Sequence, residues 1–394
     1  MRGLAAFLLV CSTTLTVPAD VQAQELGGAL RFGPTTVLPT LGFGLLANDN
    51  VRASENDAEG DIAAIIQPGL QVRMDGRDFD WSLFGSARFD RYATETDENE
   101  ETYSASTSLN YTATNDLDLD GGLSFTRASE DRTDADTDGG ERRFVFNDYG
   151  FSAGARWRPN RISFGPRVNV TRRNFDSEDR ADREFTRYDG NLRIGFRISP
   201  AVSAFVQPGG TWRDFDDPDS AGLDQDSVTY RGLVGSSFEL GSLIEAEFGI
   251  GVFSEDFVDN EREDFTGLQL TGSLTWNVTP LTDISLTLDR REETSFVEDD
   301  GVQSDARIRT EARLDVEHSL TRRVSLEADA RLRLDDYQGI NRSDTRFTIG
   351  IGSSYSINRW VAVTGRYQFD NRFSDAEDAG FTRNSVFVGL RSGL

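Results

Sequence analysis

Lysine is missing from this 394-residue sequence: all 41 basic residues are arginine, set against 67 aspartates and glutamates for a formal net charge of -26. So acidic a chain is a poor partner for the phosphate backbone of nucleic acid. Cysteine and histidine are each used once, as Cys11 and His318. A lone thiol excludes a disulfide framework, and a lone histidine excludes a Cys/His zinc centre and a cysteine-histidine catalytic pair; a serine triad would have to take His318 as its base. No run of about 18 apolar residues occurs, which excludes membrane-spanning helices. It leaves a membrane barrel open, because only every second residue of a barrel strand faces lipid.

The first 23 residues read as a secretory signal peptide. Arg2 supplies the basic start, Leu4 to Val10 the apolar stretch, and Val21-Gln-Ala23 the small-residue cleavage site, so the mature chain is expected to begin at Gln24. Lipidation at Cys11 is disfavoured by the bulky Val10 before it. Residues 24–34 then form a short periplasmic segment and 35–394 a single repeating domain.

From Thr35 onward apolar and polar residues alternate with period two. The breaks are of two kinds. Short turns such as Asp75-Gly-Arg-Asp78, Asn115-Asp116, Pro159-Asn160 and Gly241-Ser242 recur, at intervals of about 40 residues. Between them lie longer acidic breaks, such as Glu95 to Glu101, Glu130 to Asp138 and Asp214 to Asp219. Each repeat is two strands, a short turn and a long loop. In one strand Leu192, Ile194, Phe196 and Ile198 share a face and Asn191, Arg193, Gly195 and Arg197 the other; Val324 to Leu334 alternate against Ser325 to Asp335 in the same way. The stretches run to about 12 to 15 residues, longer than globular strands and long enough to cross a bilayer.

The pattern predicts an all-β transmembrane antiparallel barrel of up-and-down topology, with eighteen strands between 36–46 and 381–394. Pro34 and Pro39 interrupt the first strand, so sixteen is the alternative. An even count places both termini and the short turns on the periplasmic side and the acidic loops outside. A propeller, the soluble alternative with a similar period, needs four short strands per repeat. Trp81, Trp157, Trp276 and Trp360 lie near short turns, where an inner aromatic girdle belongs, and Phe125, Tyr188, Phe265, Phe296 and Phe347 lie near the long loops, as an outer girdle. Trp360 fits badly, since parity sends it to the polar face with Ala362.

Two local motifs point to little chemistry. Asp134-Ala-Asp-Thr-Asp-Gly139 matches the first half of a calcium loop, but Val145 stands where the bidentate glutamate belongs, so an acidic external loop is expected instead. His318 lies at a strand end on the periplasmic side, away from any expected nucleophile. No enzyme activity, cofactor or metal is expected.

The polar face carries more. Arg156, Arg158, Arg167, Arg173, Arg187, Arg193 and Arg197 share inward parity on three consecutive strands, with Asp189 the one acid read among them. Arg331 and Arg333 lie inward on a later strand, among acids such as Glu311, Glu327 and Asp335. These nine arginines are the candidate solute contacts of the lumen; the plainer reading is an ion-pair lattice that braces the wall. No loop is long enough to be an obvious plug, which predicts an open lumen.

The hairpin period, arginine-rich strands such as Arg193-Ile-Gly-Phe-Arg197 and the Trp157-Arg-Pro-Asn160 turn resemble the outer-membrane β-barrel porins of proteobacteria associated with exopolysaccharide export. The resemblance implies a channel in the outer membrane of a Gram-negative bacterium, seated in lipid and lipopolysaccharide, that passes exopolysaccharide and works with periplasmic export machinery. It carries over no catalytic residues. General diffusion of small polar solutes and a surface adhesin barrel are the alternatives.

Overall fold

The computed structural model describes residues 29–137, 143–299 and 302–393. The signal peptide, its cleavage point, Cys11 and the last residue, Leu394, lie outside the described residues.

A short strand β1 (Leu30–Phe32) opens the chain. It is followed by β2 (Thr35–Asn48), β3 (Asp61–Asp75), β4 (Phe79–Tyr92), β5 (Glu100–Thr114), β6 (Leu117–Ser129), β7 (Val145–Trp157) and β8 (Ile162–Phe175). Next come β9 (Phe185–Ser199), β10 (Val202–Phe215), β11 (Ser227–Leu240), β12 (Ile244–Phe257), β13 (Phe265–Thr279) and β14 (Thr282–Glu293). The pieces β15 (Glu298–Asp299) and β16 (Val302–Gln303) pair within a loop. The chain ends with β17 (Ala306–Thr321), β18 (Val324–Gln338), β19 (Ser343–Ser356), β20 (Val361–Ser374) and β21 (Phe381–Gly393). Eighteen of these, all but β1, β15 and β16, pair antiparallel with their sequence neighbours, and β2 meets β21 to close the barrel.

The first strand survives its prolines because of where they fall. The β2–β21 ladder starts at Thr40↔Gly393, so Pro39, which has no N–H to give, sits just beyond that ladder. There β1 takes over the vacated edge, pairing Leu30↔Val37 through Phe32↔Thr35. Eighteen strands are therefore realised rather than sixteen.

Parity holds across the wall. Leu274, Leu286 and Leu314 stand directly opposite one another on β13, β14 and β17, on the outward face, with Ser273, Thr287 and Arg313 turned inward beside them. Outward Leu45, Leu123, Val168, Ile198, Val252 and Val388 are likewise exposed, as a lipid-facing band requires. The inner turns are tight; Gly241, between β11 and β12, holds φ at +63°, which favours a residue without Cβ.

The girdles differ from expectation at two positions, and the misfit of Trp360 is removed. Trp360 belongs to a turn ordered by Asn358, whose Oδ1 accepts from the Trp360 and Val361 amides, so strand parity does not govern the ring. Phe265 faces inward, edge-on to the buried Phe253 at 5.9 Å. Phe296 lies in a loop beneath the Arg183 guanidinium, 5.0 Å from it, and against Phe215 rather than lipid. Tyr188 does lie on the outer surface, stacked on Trp212 at 5.3 Å.

Candidate functional site: the loop-crossed lumen

The short turns all lie at one end of the barrel. At the other end, the long connections do not stand clear of the mouth. Glu98, in the second outer loop, is 1% exposed and accepts from Arg132 of the third at 2.7 Å, with Arg52 of the first 3.7 Å away. Gln225 of the fifth donates to the Asp182 carbonyl of the fourth and accepts from Gln303 of the seventh. Arg262 of the sixth bridges Asp219 and Asp305 at 2.5 and 3.2 Å. The first and ninth loops are joined by Asn56 and Asp378. Polar loops of this length fold onto one another because buried arginines such as Arg132 and Arg262 find carboxylates from a different loop.

The third outer loop, 130–144, goes furthest. Arg307 near the top of β17 reaches both Asp134 and Asp136 at 3.1 Å, Arg346 of β19 donates to the Thr133 carbonyl at 3.2 Å, and the Phe296 amide donates to Asp136. The loop leaves β6 and returns to β7, so these contacts carry it across the lumen to the opposite wall. The calcium-like stretch lies in an acidic loop at the outer end, as expected, but its described part, 134–137, is folded inward instead of standing outside, and a loop of modest length reaches across the lumen, where no obvious plug was expected. It can do so because it need only span the interior once, and because the top of the β14–β17 hairpin comes to meet it. The β13–β14 ladder starts only at Leu270↔Arg290, five residues into β13, and Glu292 turns to Arg213 and Arg231 on β10 and β11.

The two loop aspartates are held differently. Burial disfavours charge on Asp134, but Arg307, Arg309 and Arg333 outweigh it and hold the carboxyl well below its ordinary value. Burial pushes Asp136 up, against Arg307 and with the help of the Asp134 charge.

Behind the loop, carboxylates and guanidinium groups interleave. Arg309 joins Glu293 and Asp335, both at 2.7 Å, Glu311 serves Arg333 at 2.9 Å and Arg331 at 3.6 Å, and Asp370 serves Arg346 and Arg383 at 3.1 and 2.9 Å. Of the nine candidate arginines, Arg158 pairs with Asp118, Arg167 with Asp120 at 2.8 Å, Arg173 with Asp148 at 2.7 Å, and Arg187 with Asp189 at 2.9 Å. Arg193 lies over the Phe205 ring and reaches Glu247 at 2.5 Å. Arg197 donates to the Asn160 carbonyl at 2.9 Å, and among the described residues neither it nor Arg156 has a carboxylate partner. The strip is thus richer in acid than the sequence pattern indicates: Asp148 lies inward on β7 itself, and β6 supplies Asp118 and Asp120. Arg346, Arg372 and Arg383 are lumen arginines that the sequence reading misses; their inward parity with Thr348 and Asp370 is the available signal. His318 shares a hydrogen bond with Thr282 at 2.9 Å, beside an inner turn.

A closed eighteen-strand barrel with an apolar outer band and a charged, loop-crossed lumen is an outer-membrane channel of the porin type, not an enzyme. The chain belongs to the family described as "Putative beta-barrel porin 2", whose model matches residues 28–393. Solved structures with a similar course include OccK2 (OpdF) of Pseudomonas aeruginosa, 9% identical over 91% of this chain and 98% of that one, TM-score 0.48. OccAB4 of Acinetobacter baumannii is 9% identical over 91% and 98%, TM-score 0.47. The siderophore receptor PirA of P. aeruginosa is 9% identical over 91% and 80%, TM-score 0.44. No curated protein matches the sequence at a significant level.

Proposed function

We propose that the barrel passes small, charged polar solutes, sorted by size where the third outer loop crosses the lumen and by charge along the arginines beneath it. The crossing carries this reading. Asp134 and Asp136 on Arg307, and Thr133 on Arg346, pin the loop to the far wall. A small solute needs only the gaps beside such a strap. Exopolysaccharide export, which the family resemblance implies, requires the strap and the interlocked loops to part for every chain that threads them, so it is the second reading.

Arg156, Arg158 and Arg197 are exposed toward the inner end and are the arginines of the strip we assign to solute contact. Arg167, Arg173, Arg187, Arg193, Arg331 and Arg333 hold acids in place and shape the field that the solute meets. Liposome swelling with sugars of rising length tests the size claim. Mono- and disaccharides should enter and long oligosaccharides should not. Equal entry of long acidic oligosaccharides would favour the polymer reading.

A further inference from the structure

Three arginines stand directly opposite one another on adjacent strands of the lumen wall: Arg333 of β18 pairs in register with Arg346 of β19, and Arg346 with Arg372 of β20. Like charges in register disfavour strand pairing, so a row of three needs compensation. Among the described residues that compensation is incomplete. With Arg331 and Arg383 at the flanks, five guanidinium groups share two ion-paired carboxylates, Glu311 and Asp370.

The other carboxylates nearby are already engaged. Asp344 accepts from Arg342, Tyr337 and Ser374, Asp134 of the third loop is ion-paired with Arg307, and Asp131 of the same loop accepts from the Thr133 amide and hydroxyl. Four N–H groups of the cluster are buried without an acceptor among the described residues: Nε of Arg331, Arg346 and Arg383, and Nη1 of Arg372. Arg346 and Arg383 are themselves only 6% and 9% exposed. The Phe381 ring lies 5.1 to 6.0 Å from the guanidinium groups of Arg346, Arg372 and Arg383, an aromatic floor that holds all three without neutralising any.

We propose that this row is a binding site for a polycarboxylate, which supplies the acceptors that the protein leaves out. The proposal rests on the small-solute reading and names a class of solute for it. Guanidinium forks match carboxylates two bonds at a time. Strands lie about 4.8 Å apart, so the row spans about 10 Å, enough for two or three carboxylates on one small molecule. Arg346 also holds the Thr133 carbonyl. A ligand that takes this donor competes with the third loop for the wall, so occupancy of the site loosens the strap.

The test is calorimetric titration of the full chain, folded in detergent, with citrate and with gluconate, a monocarboxylate of similar size. Citrate should bind, and gluconate should bind about tenfold more weakly or not at all. The double variant Arg346→Gln/Arg372→Gln should lose about tenfold or more in citrate affinity, while Arg322→Gln, at an inner turn, should not change it. Equal affinity for the two acids, or an unchanged citrate affinity in a double variant that still shows the heat-modifiable gel mobility of a folded barrel, overturns the site. If the double variant does not fold, Arg372→Gln alone, which breaks no ion pair among the described residues, decides the matter by the same comparison. Bilayer recordings separate this proposal from the reading beneath it. Small-solute conductance without citrate binding removes the site alone, and citrate binding to a barrel that passes no small solute removes the channel reading alone.

Discussion

Arg346 and Thr133 lie 213 residues apart in sequence and are joined by one hydrogen bond, from guanidinium to carbonyl, at 3.2 Å. With the two aspartates on Arg307 it makes the third outer loop a strap fastened at both sides of the barrel. Asp134→Asn with Asp136→Asn leaves the loop length unchanged but removes both loop charges that Arg307 holds, leaving it Glu293 at 3.4 Å. Single-channel conductance in that variant should rise, and a protease added outside should cut within 131–137 sooner than in the parent. Unchanged conductance would show that the strap does not set the passage.

Acid should act on the strap in two stages. Asp134, held well below its ordinary value, stabilises the attachment fully above about pH 4, and that contribution is lost as pH falls further through its native value. Asp136, raised by burial and by the Asp134 charge, takes up its proton at a higher pH than Asp134 does, and the cost of its buried charge, which the Arg307 contact offsets only in part, is relieved as it does so. Hydrogen exchange at the Thr137 amide, bonded to the Asp134 carbonyl, should therefore not quicken as the pH falls from 7, after correction for intrinsic rates, until it passes below about 4. Loosening that begins near neutrality contradicts this assignment.

The lipid face can be tested against the lumen face on neighbouring strands. Leu286→Arg places a charge between Leu274 and Leu314 and should cost about 2–4 kcal/mol of folding stability in lipid. Thr275→Arg points inward, with Glu245 directly opposite, and should be nearly neutral. Denaturant titration of the two variants refolded into vesicles gives both numbers.

Replacing Arg158, Arg167, Arg193 and Arg197 by Gln should move the reversal potential in planar bilayers toward cation preference. Three of the four have carboxylate partners, Asp118, Asp120 and Glu247, so the substitution frees three negative charges besides removing four positive ones. The shift should shrink at high salt, because the screening length falls to about 3 Å at 1 M. A selectivity that stays put would mean that the current does not pass this strip.

The barrel itself is legible in the sequence because its causes are local: alternation fixes the faces, and turn residues fix the hairpins. Even the prolines fit once the register is known, since Pro39 falls just outside the β2–β21 ladder. The strap is not legible. Asp134 and Asp136 look like an ordinary acidic loop until closure of the sheet brings Arg307 opposite them, and no period in the sequence records that meeting. The girdle misreadings come from judging rings by their nearness to loops. Phe265 and Phe296 lie near loops in the sequence, but Phe265 shares the inward parity of Gln269 and Thr271 in a ladder with β12 that runs to the strand's outer end, and the seventh loop turns inward, so both rings face protein instead of lipid. Of the arginines, parity gives the direction and misses the company, because Asp118 and Asp120 come from a neighbouring strand.

The joint between β2 and β21 has a consequence for how the molecule is made. The first of the eighteen barrel strands is bonded on one side to its successor and on the other to the eighteenth. Its second edge therefore stays open until that last strand has been delivered, and a chain cut short before it ends as a sheet with two raw edges in the bilayer, where unsatisfied backbone groups are most costly. The seam from Thr40↔Gly393 to Asn48↔Ser385 is therefore the one part of the wall whose two strands are the most distant in the chain, and the wall has no free edge only when it is joined.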